Sequence, residues 1–323
     1  MNQTPIPVVD LRDFTQGTPV EIARFIGHFG RALERVGFVA ISHPGLDLAL
    51  VQEVYALAET FFALPQELKQ QYTLPHIQGQ RGFTGFGQEH AKNQSLPDLK
   101  EFWHMGPDLA EGHPMAATYP ANIWPKEIPQ WQPLMTRLYH QLEGCSQFLL
   151  EACALYIGEP RHLLRNMVED GNTVLRVLHY PSSQDCGPEG EAWAAAGAVR
   201  SAAHEDINLI TLLDGATAPG LEVKDHDGKW QKVELAPGQL LCNGGDMLQW
   251  FTNGLFRSTT HRVTNEGWER SARLSMPYFV HPRPRVDLAP LSSCVAKTGG
   301  QVRFPPITAQ TYLTQRLKEI GLA

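Results

Sequence analysis

After Asn172 the chain breaks into short β-prone runs, over 173–180, 209–213, 221–223, 230–235, 239–242, 247–251, 261–264 and 273–280. Turn residues separate them, and Asp227-Gly228 is a dipeptide that favours a tight hairpin. A single short strand cannot bury an apolar face alone. About eight of them at this spacing predict two sheets packed face to face, in the manner of a jelly roll. The preceding half reads differently. Ile22, Phe25, Ile26, Phe29 and Leu33 recur at helical spacing over 20–36, and Gly37 is placed to end that helix. Further helices are expected over 51–64, 130–156 and 309–320, the last with Thr308 as its N-cap. Segments 6–10 and 38–41 read as extended. The fold class is therefore α+β with a mainly β core: a helical and mixed region over 1–165, then a β unit with a C-terminal helix over 166–323, forming one compact body.

The run at 209–213 is preceded by "Ala-Ala-His-Glu-Asp-Ile-Asn". In extended backbone, residues two apart share a face, so His204 and Asp206 can grip one ion while Glu205 points away. His261, in "Arg-Ser-Thr-Thr-His-Arg-Val-Thr-Asn", offers a third ligand from another β-prone run. Two imidazoles and one carboxylate leave three octahedral positions open, which suits non-haem Fe(II) that must also take a cosubstrate and O2. Twelve residues on, Arg273 and Ser275 share a strand face. A guanidinium fork beside a hydroxyl is a binding site for a small carboxylate.

These residues carry a resemblance. "Ile-Pro-Val-Val-Asp-Leu", "Val-Gly-Phe-Val-Ala-Ile-Ser-His-Pro-Gly" and "Phe-Phe-Ala-Leu-Pro-Gln-Glu-Leu-Lys" near the start, with "Gly-Leu-Glu-Val", "Asn-Gly-Gly-Asp-Met-Leu" and "Thr-Asn-Gly" before His261, are similar to the isopenicillin N synthase-like branch of the Fe(II)/2-oxoglutarate-dependent oxygenases. The resemblance spans nearly the whole chain. It implies a double-stranded β-helix with His204, Asp206 and His261 as iron ligands and catalytic centre. It also implies that Arg273, Ser275 and Tyr180 bind 2-oxoglutarate. Leu178 stands where plant members usually have Asn. The implied activity is oxidation of a small molecule, by hydroxylation, desaturation or cyclisation, with release of succinate and CO2. Two alternatives keep the same ligands: a 2-oxoglutarate-independent iron oxidase of the isopenicillin N synthase type, and a non-catalytic metal-binding sensor.

For the substrate pocket, the aromatic and glycine-rich segments 81–87 and 100–106 read as loops near a ligand, with Phe83, Phe86, Trp103 and His104 as candidates. Phe279 shares Ser275's strand face. The polar insertion over 181–200 reads as a lid, with Trp193 as its apolar plug. Composition narrows the partners. A net charge of −7 offers no basic stripe for nucleic acid. The start lacks a secretory pattern, and no apolar stretch is long enough to span a bilayer. Five scattered cysteines without a Cys-x-x-Cys pair fit a reducing, cytoplasmic setting rather than a disulfide scaffold.

Overall fold

Antiparallel pairing of short strands organises the computed structural model, which describes residues 6–77, 79–90 and 95–319. The strands are β1 (Val8–Asp10), β2 (Phe38–Ser42), β3 (Gly82–Thr84), β4 (Glu101–Met105), β5 (Val174–Tyr180), β6 (Ser201–His204), β7 (Ile210–Asp214), β8 (Leu221–Lys224), β9 (Trp230–Lys232), β10 (Leu240–Gly244), β11 (His261–Val263), β12 (Arg273–Ser275) and β13 (Pro277–Val280). Among the described residues they form two sheets. The larger runs β1-β2-β10-β7-β13-β5-β4-β3, with β12 also on β5, and the smaller runs β6-β11-β8-β9. Strands from before and after residue 165 share the larger sheet: β2 pairs with β10, and β4 pairs with β5.

The helices are α1 (Leu11–Thr15), α2 (Pro19–Arg35), α3 (Leu48–Phe62), α4 (Gln66–Gln70), α5 (Trp131–Ile157), α6 (Leu163–Val168), α7 (Gly187–Ala195), α8 (Asp246–Phe251), α9 (Ser292–Lys297) and α10 (Ala309–Glu319). Helix α2 starts with a reciprocal cap between Thr18 and Glu21. Gly37, at φ +78, then turns the chain into β2 while its N–H bonds Ala32 O. Thr308 Oγ1 accepts from Thr311 N, as an N-cap of α10 should. No helix among the described residues is long and apolar enough to cross a membrane.

Strand alternation gives the larger sheet two different faces. On β5, Leu175 and Val177 are fully buried in the core that α5 covers, where Tyr139 packs edge-on against Tyr278 of β13. The alternate residues Val174, Arg176, Leu178 and Tyr180 face a cavity between the sheets. Leu178 and Tyr180 pack there with Phe102 and with Val263 of the opposite sheet. This is the jelly-roll arrangement expected of the β half.

Four expectations need correction. Residues 247–251 are not a strand but most of α8, because Met247, Leu248 and Phe251 bury one helical face just after Gly244-Gly245. The run over 273–280 keeps a single register against β5, yet divides into β12 and β13 where Pro277 has no N–H to donate. Segments 81–87 and 100–106 are not loops throughout, since they contain the paired strands β3 and β4. Within the 181–200 insertion, residues 187–195 form α7. The Asp227-Gly228 turn joins β8 to β9 as an antiparallel hairpin, with Gly228 at φ +79.

Candidate metal centre and cosubstrate site

Three ligand-type side chains meet at the cavity end of the smaller sheet. Strand β6 ends on His204, β11 begins on His261, and these two residues are register partners. Asp206 lies just past β6, where the turn is fixed by its carbonyl accepting from Asp246 N at 2.7 Å. One ligand atom from each of His204, Asp206 and His261 lies within 4.8 Å of the others.

Which atoms converge is set by the hydrogen bonds around them. Asp206 Oδ2 accepts from Thr211 Oγ1 at 2.5 Å and from Asn243 Nδ2 at 2.8 Å. That leaves Oδ1, which faces His204 Nε2 at 3.9 Å and His261 Nε2 at 3.7 Å. On the far side of each ring, His204 Nδ1 donates to Ala202 O at 2.7 Å and His261 Nδ1 to Thr259 O at 3.1 Å. Bonding Nδ1–H to a carbonyl fixes the tautomer and turns the Nε2 lone pair inward. The electrostatics agree. Burial and the neighbouring His261 lower the pKa of His204, favouring the neutral ring. Burial alone would raise Asp206, but the two histidines and the bonds from Asn243 and Thr211 hold its carboxyl below the usual range. Two imidazole Nε2 atoms and a carboxylate oxygen are the donor set that Fe(II) takes.

Nothing local in the sequence marks Thr211 and Asn243 as part of this site. They are register partners on β7 and β10 and together orient one carboxylate. Removing such a partner commonly costs about 10–100-fold in metal affinity. Asn243→Ala therefore lowers Fe(II) affinity within that range while leaving all three ligands in place. An anaerobic Fe(II) titration measures it.

Glu205 also gains a role. It hydrogen-bonds Thr260 Oγ1, the residue preceding His261. It thus ties the ends of β6 and β11 together at the point where both present ligands.

Arg273 and Tyr180 are register partners on β12 and β5, and the Arg273 Cζ lies 5.1 Å from the Tyr180 ring centre. Arg273 is 2% exposed, and its Nε donates to Ala218 O at 3.0 Å. Its Nη1 is buried and has no partner. An orphaned guanidinium N–H in a cavity wall calls for an anionic acceptor. Ser275 and Tyr180 line the same cavity, so a carboxylate fits at this place.

The cavity has a volume of about 370 Å³. Of the pocket candidates, His104 and Phe279 line it. Both His104 nitrogens are committed, Nδ1 to Gly79 O at 2.6 Å and Nε2 to Arg176 Nε at 2.5 Å. Phe83 and Trp103 do not line it. They alternate to the other face of β3 and β4, and both pack against Phe61 in the core. Phe86 and Trp193 do not line it either, because they stack on each other with ring centres 5.8 Å apart. Helix α7 thus docks on the loop after β3 instead of plugging the metal cavity.

Comparison with known proteins fits this geometry. Residues 6–127 match the family described as non-haem dioxygenase in morphine synthesis N-terminal, and residues 171–282 match the 2OG-Fe(II) oxygenase superfamily. A proline hydroxylase of Petromyces alliaceus is 30% identical over 325 residues, covering 96% of this chain and 97% of its own. The chain belongs to the Fe(II)/2-oxoglutarate oxygenase superfamily. The crystal structure of a 2OG-Fe(II) oxygenase family protein from Caulobacter crescentus is 40% identical to this oxygenase, with a TM-score of 0.84 over 98% of this chain and 99% of that one. A full-length Neurospora crassa protein, crystallised in complex with alpha-KG and thymine, shares the fold at 24% identity, with a TM-score of 0.82 over 98% of each chain. Fe(II), 2-oxoglutarate and O2 are the cofactor and cosubstrates of the superfamily, and this oxygenase is a dioxygenase of that type.

Proposed function

We propose that His204, Asp206 and His261 hold the Fe(II), and that Arg273, Ser275 and Tyr180 hold 2-oxoglutarate. The substrate is then a small molecule in the remainder of the cavity, oxidised at an unactivated C–H bond. The observation that carries this reading is the convergence of Asp206 Oδ1 with two imidazole Nε2 atoms, each ligand's other polar atom being tied elsewhere. Bound iron and 2-oxoglutarate supply reduction of O2 coupled to decarboxylation of the cosubstrate to succinate and CO2.

The chain's own part is binding, orientation and exclusion of water. Arg273 anchors the far carboxylate of the cosubstrate through its unpaired Nη1. Thr211 and Asn243 keep Asp206 Oδ1 presented, and the carbonyls of Ala202 and Thr259 hold the imidazole planes. Phe102, Leu178 and Val263 keep the space beside Tyr180 apolar. Leu178 gives that wall no polar group, in contrast to the Asn usual in plant relatives. We propose a reducing compartment such as the cytoplasm, on the strength of five scattered cysteines without a Cys-x-x-Cys pair.

The test is an O2-consumption screen with Fe(II), 2-oxoglutarate and a metabolite library. Succinate formed per O2 consumed approaches one with a true substrate. A value near zero with sustained O2 uptake marks the 2-oxoglutarate-independent oxidase instead.

A further inference from the structure

Two charged residues lining the cavity each have a buried polar atom without a partner, Arg273 at Nη1 and Glu89 at Oε2. A cosubstrate carboxylate accounts for the first. The second belongs to a different wall. Along the cavity face of β5, Arg176 lies four residues from Tyr180, roughly 13 Å at strand spacing. Glu89, 7% exposed, meets this wall through Oε1, which lies 2.6 Å from Lys100 Nζ and 3.1 Å from Arg176 Nη1. Both cations crowd onto one oxygen, and Oε2 is left bare. Burial alone would raise the Glu89 carboxyl, but Arg176 and Lys100 hold it below the usual range, so it is an ionised acceptor.

The charge of the missing donor follows from the whole cavity lining. Among the described residues, six carboxylates and four Lys or Arg side chains line it. Asp206 and Arg273 serve iron and cosubstrate, and the charges of Fe(II) and dianionic 2-oxoglutarate cancel. Lys100 also binds Asp98 Oδ2 at 2.7 Å, so Glu89 and Asp98 balance Lys100 and Arg176. The remainder does not balance. Arg316 faces both Asp246, at 3.4 Å, and Glu319, at 2.7 Å. Glu205 accepts from the Thr260 hydroxyl instead of a cation. Three carboxylates stand against one cation there, so with the histidines counted as neutral the loaded cavity carries an excess of two negative charges. Glu205 and Glu319 are exposed, which puts part of this acid where the cavity meets solvent and can draw cations in.

An ionised Glu89 Oε2 can only accept, so it requires a donor from outside the chain. A cationic N–H answers both observations. It gives Oε2 a charge-assisted bond, roughly twice as strong as a neutral one. It also offsets the excess acid, whereas an anion would add to it. Resting on the oxygenase reading above, we propose that Glu89 selects a substrate bearing an organic ammonium group with at least one N–H, which Oε2 accepts. The substrate's apolar body then occupies the remainder of the cavity, whose walls include Leu178, Val263 and Phe279. Glu89 is a specificity-determining residue for substrates of this class.

Matched probes test it by anaerobic calorimetric titration of the protein loaded with Fe(II) and 2-oxoglutarate, at about pH 7, where an alkylamine is protonated. Four probes share one ring: cyclohexylammonium, cyclohexyltrimethylammonium, cyclohexanecarboxamide and cyclohexanecarboxylate. Cyclohexylammonium binds about tenfold or more tighter than each of the others. The trimethyl ion keeps the charge without an N–H, the amide keeps an N–H without the charge, and the carboxylate reverses the charge. In Glu89→Gln the side-chain oxygen stays with Lys100 and Arg176 and the NH2 takes the place of Oε2. The advantage of cyclohexylammonium over the trimethyl ion and the amide then falls about tenfold or more. Binding of 2-oxoglutarate to the Fe(II)-loaded variant shows that it is folded, and the parent's ranking alone decides if it is not. Equal or tighter binding of any of the other three probes by the parent overturns the proposal. So does an unchanged ranking in folded Glu89→Gln, which makes the preference one of size alone, or failure of every probe to bind while 2-oxoglutarate binds. Failure of 2-oxoglutarate itself to bind the Fe(II)-loaded parent contradicts the oxygenase site instead, which keeps the two readings separable.

Discussion

Asp206→Ala lowers 2-oxoglutarate turnover by about three orders of magnitude or more and abolishes tight Fe(II) binding. The magnitude follows from the metal supplying the oxidising step that no side chain here can replace. Asp206 is the only carboxylate in the ligand cluster, so its loss leaves two imidazoles and removes the charge that most favours a divalent ion. The same change reaches the fold. Thr211 and Asn243 are both 3% exposed; Asn243 Nδ2 loses the acceptor it donates to, while Thr211 Oγ1 keeps only Asn208 Oδ1 at 3.3 Å. Leaving such donors unpaired costs about 1–3 kcal/mol. The metal-free variant therefore melts below the metal-free parent, and Fe(II) no longer raises its melting temperature. Thermal denaturation with and without Fe(II), beside a turnover assay, checks both parts.

Arg273→Ala raises the KM for 2-oxoglutarate by about 100-fold or more, as expected when one partner of a buried, hydrogen-bonded charge pair is removed. The kcat at saturating 2-oxoglutarate stays within a few fold, because in the proposed binding mode Arg273 holds the end of the cosubstrate remote from the metal. Arg273→Lys does not restore affinity. The native guanidinium spends Nε on Ala218 O while presenting Nη1 to the cavity, and a single ammonium cannot reproduce that fork. Steady-state kinetics with 2-oxoglutarate as the varied substrate separates this pattern from a general loss of folding, which would lower kcat as well.

The convergence of the triad and the place of Arg273 and Ser275 in the cavity wall were legible because they depend on residue type and period-two spacing, which a sequence displays directly. The residues that orient the triad were not. Thr211 and Asn243 lie five and 37 positions from Asp206 and meet it only through the β7–β10 register. No local period encodes that meeting. Glu89 was missed for a related reason: an isolated carboxylate becomes notable only once Lys100 and Arg176 are seen to share one of its oxygens and leave the other bare. The aromatic candidates misled because β3 and β4 were read as loops. Trp103 and His104 are adjacent in a strand, so only one of them can face the cavity, and His104 does. At 247–251 the apolar composition was right and the period wrong, with helical burial winning after a glycine pair. The hairpin at Asp227-Gly228 and the glycine stop after α2 were readable because they depend on a positive φ that the sequence advertises.

The most direct test of the iron and cosubstrate assignment is anomalous diffraction at the iron edge from anaerobic crystals grown with Fe(II) and 2-oxoglutarate. One strong peak is expected about 2 Å from His204 Nε2, Asp206 Oδ1 and His261 Nε2, with a cosubstrate carboxylate on Arg273 Nη1. A peak elsewhere, ligation through Asp206 Oδ2, or a cosubstrate that leaves Arg273 unpaired would contradict it.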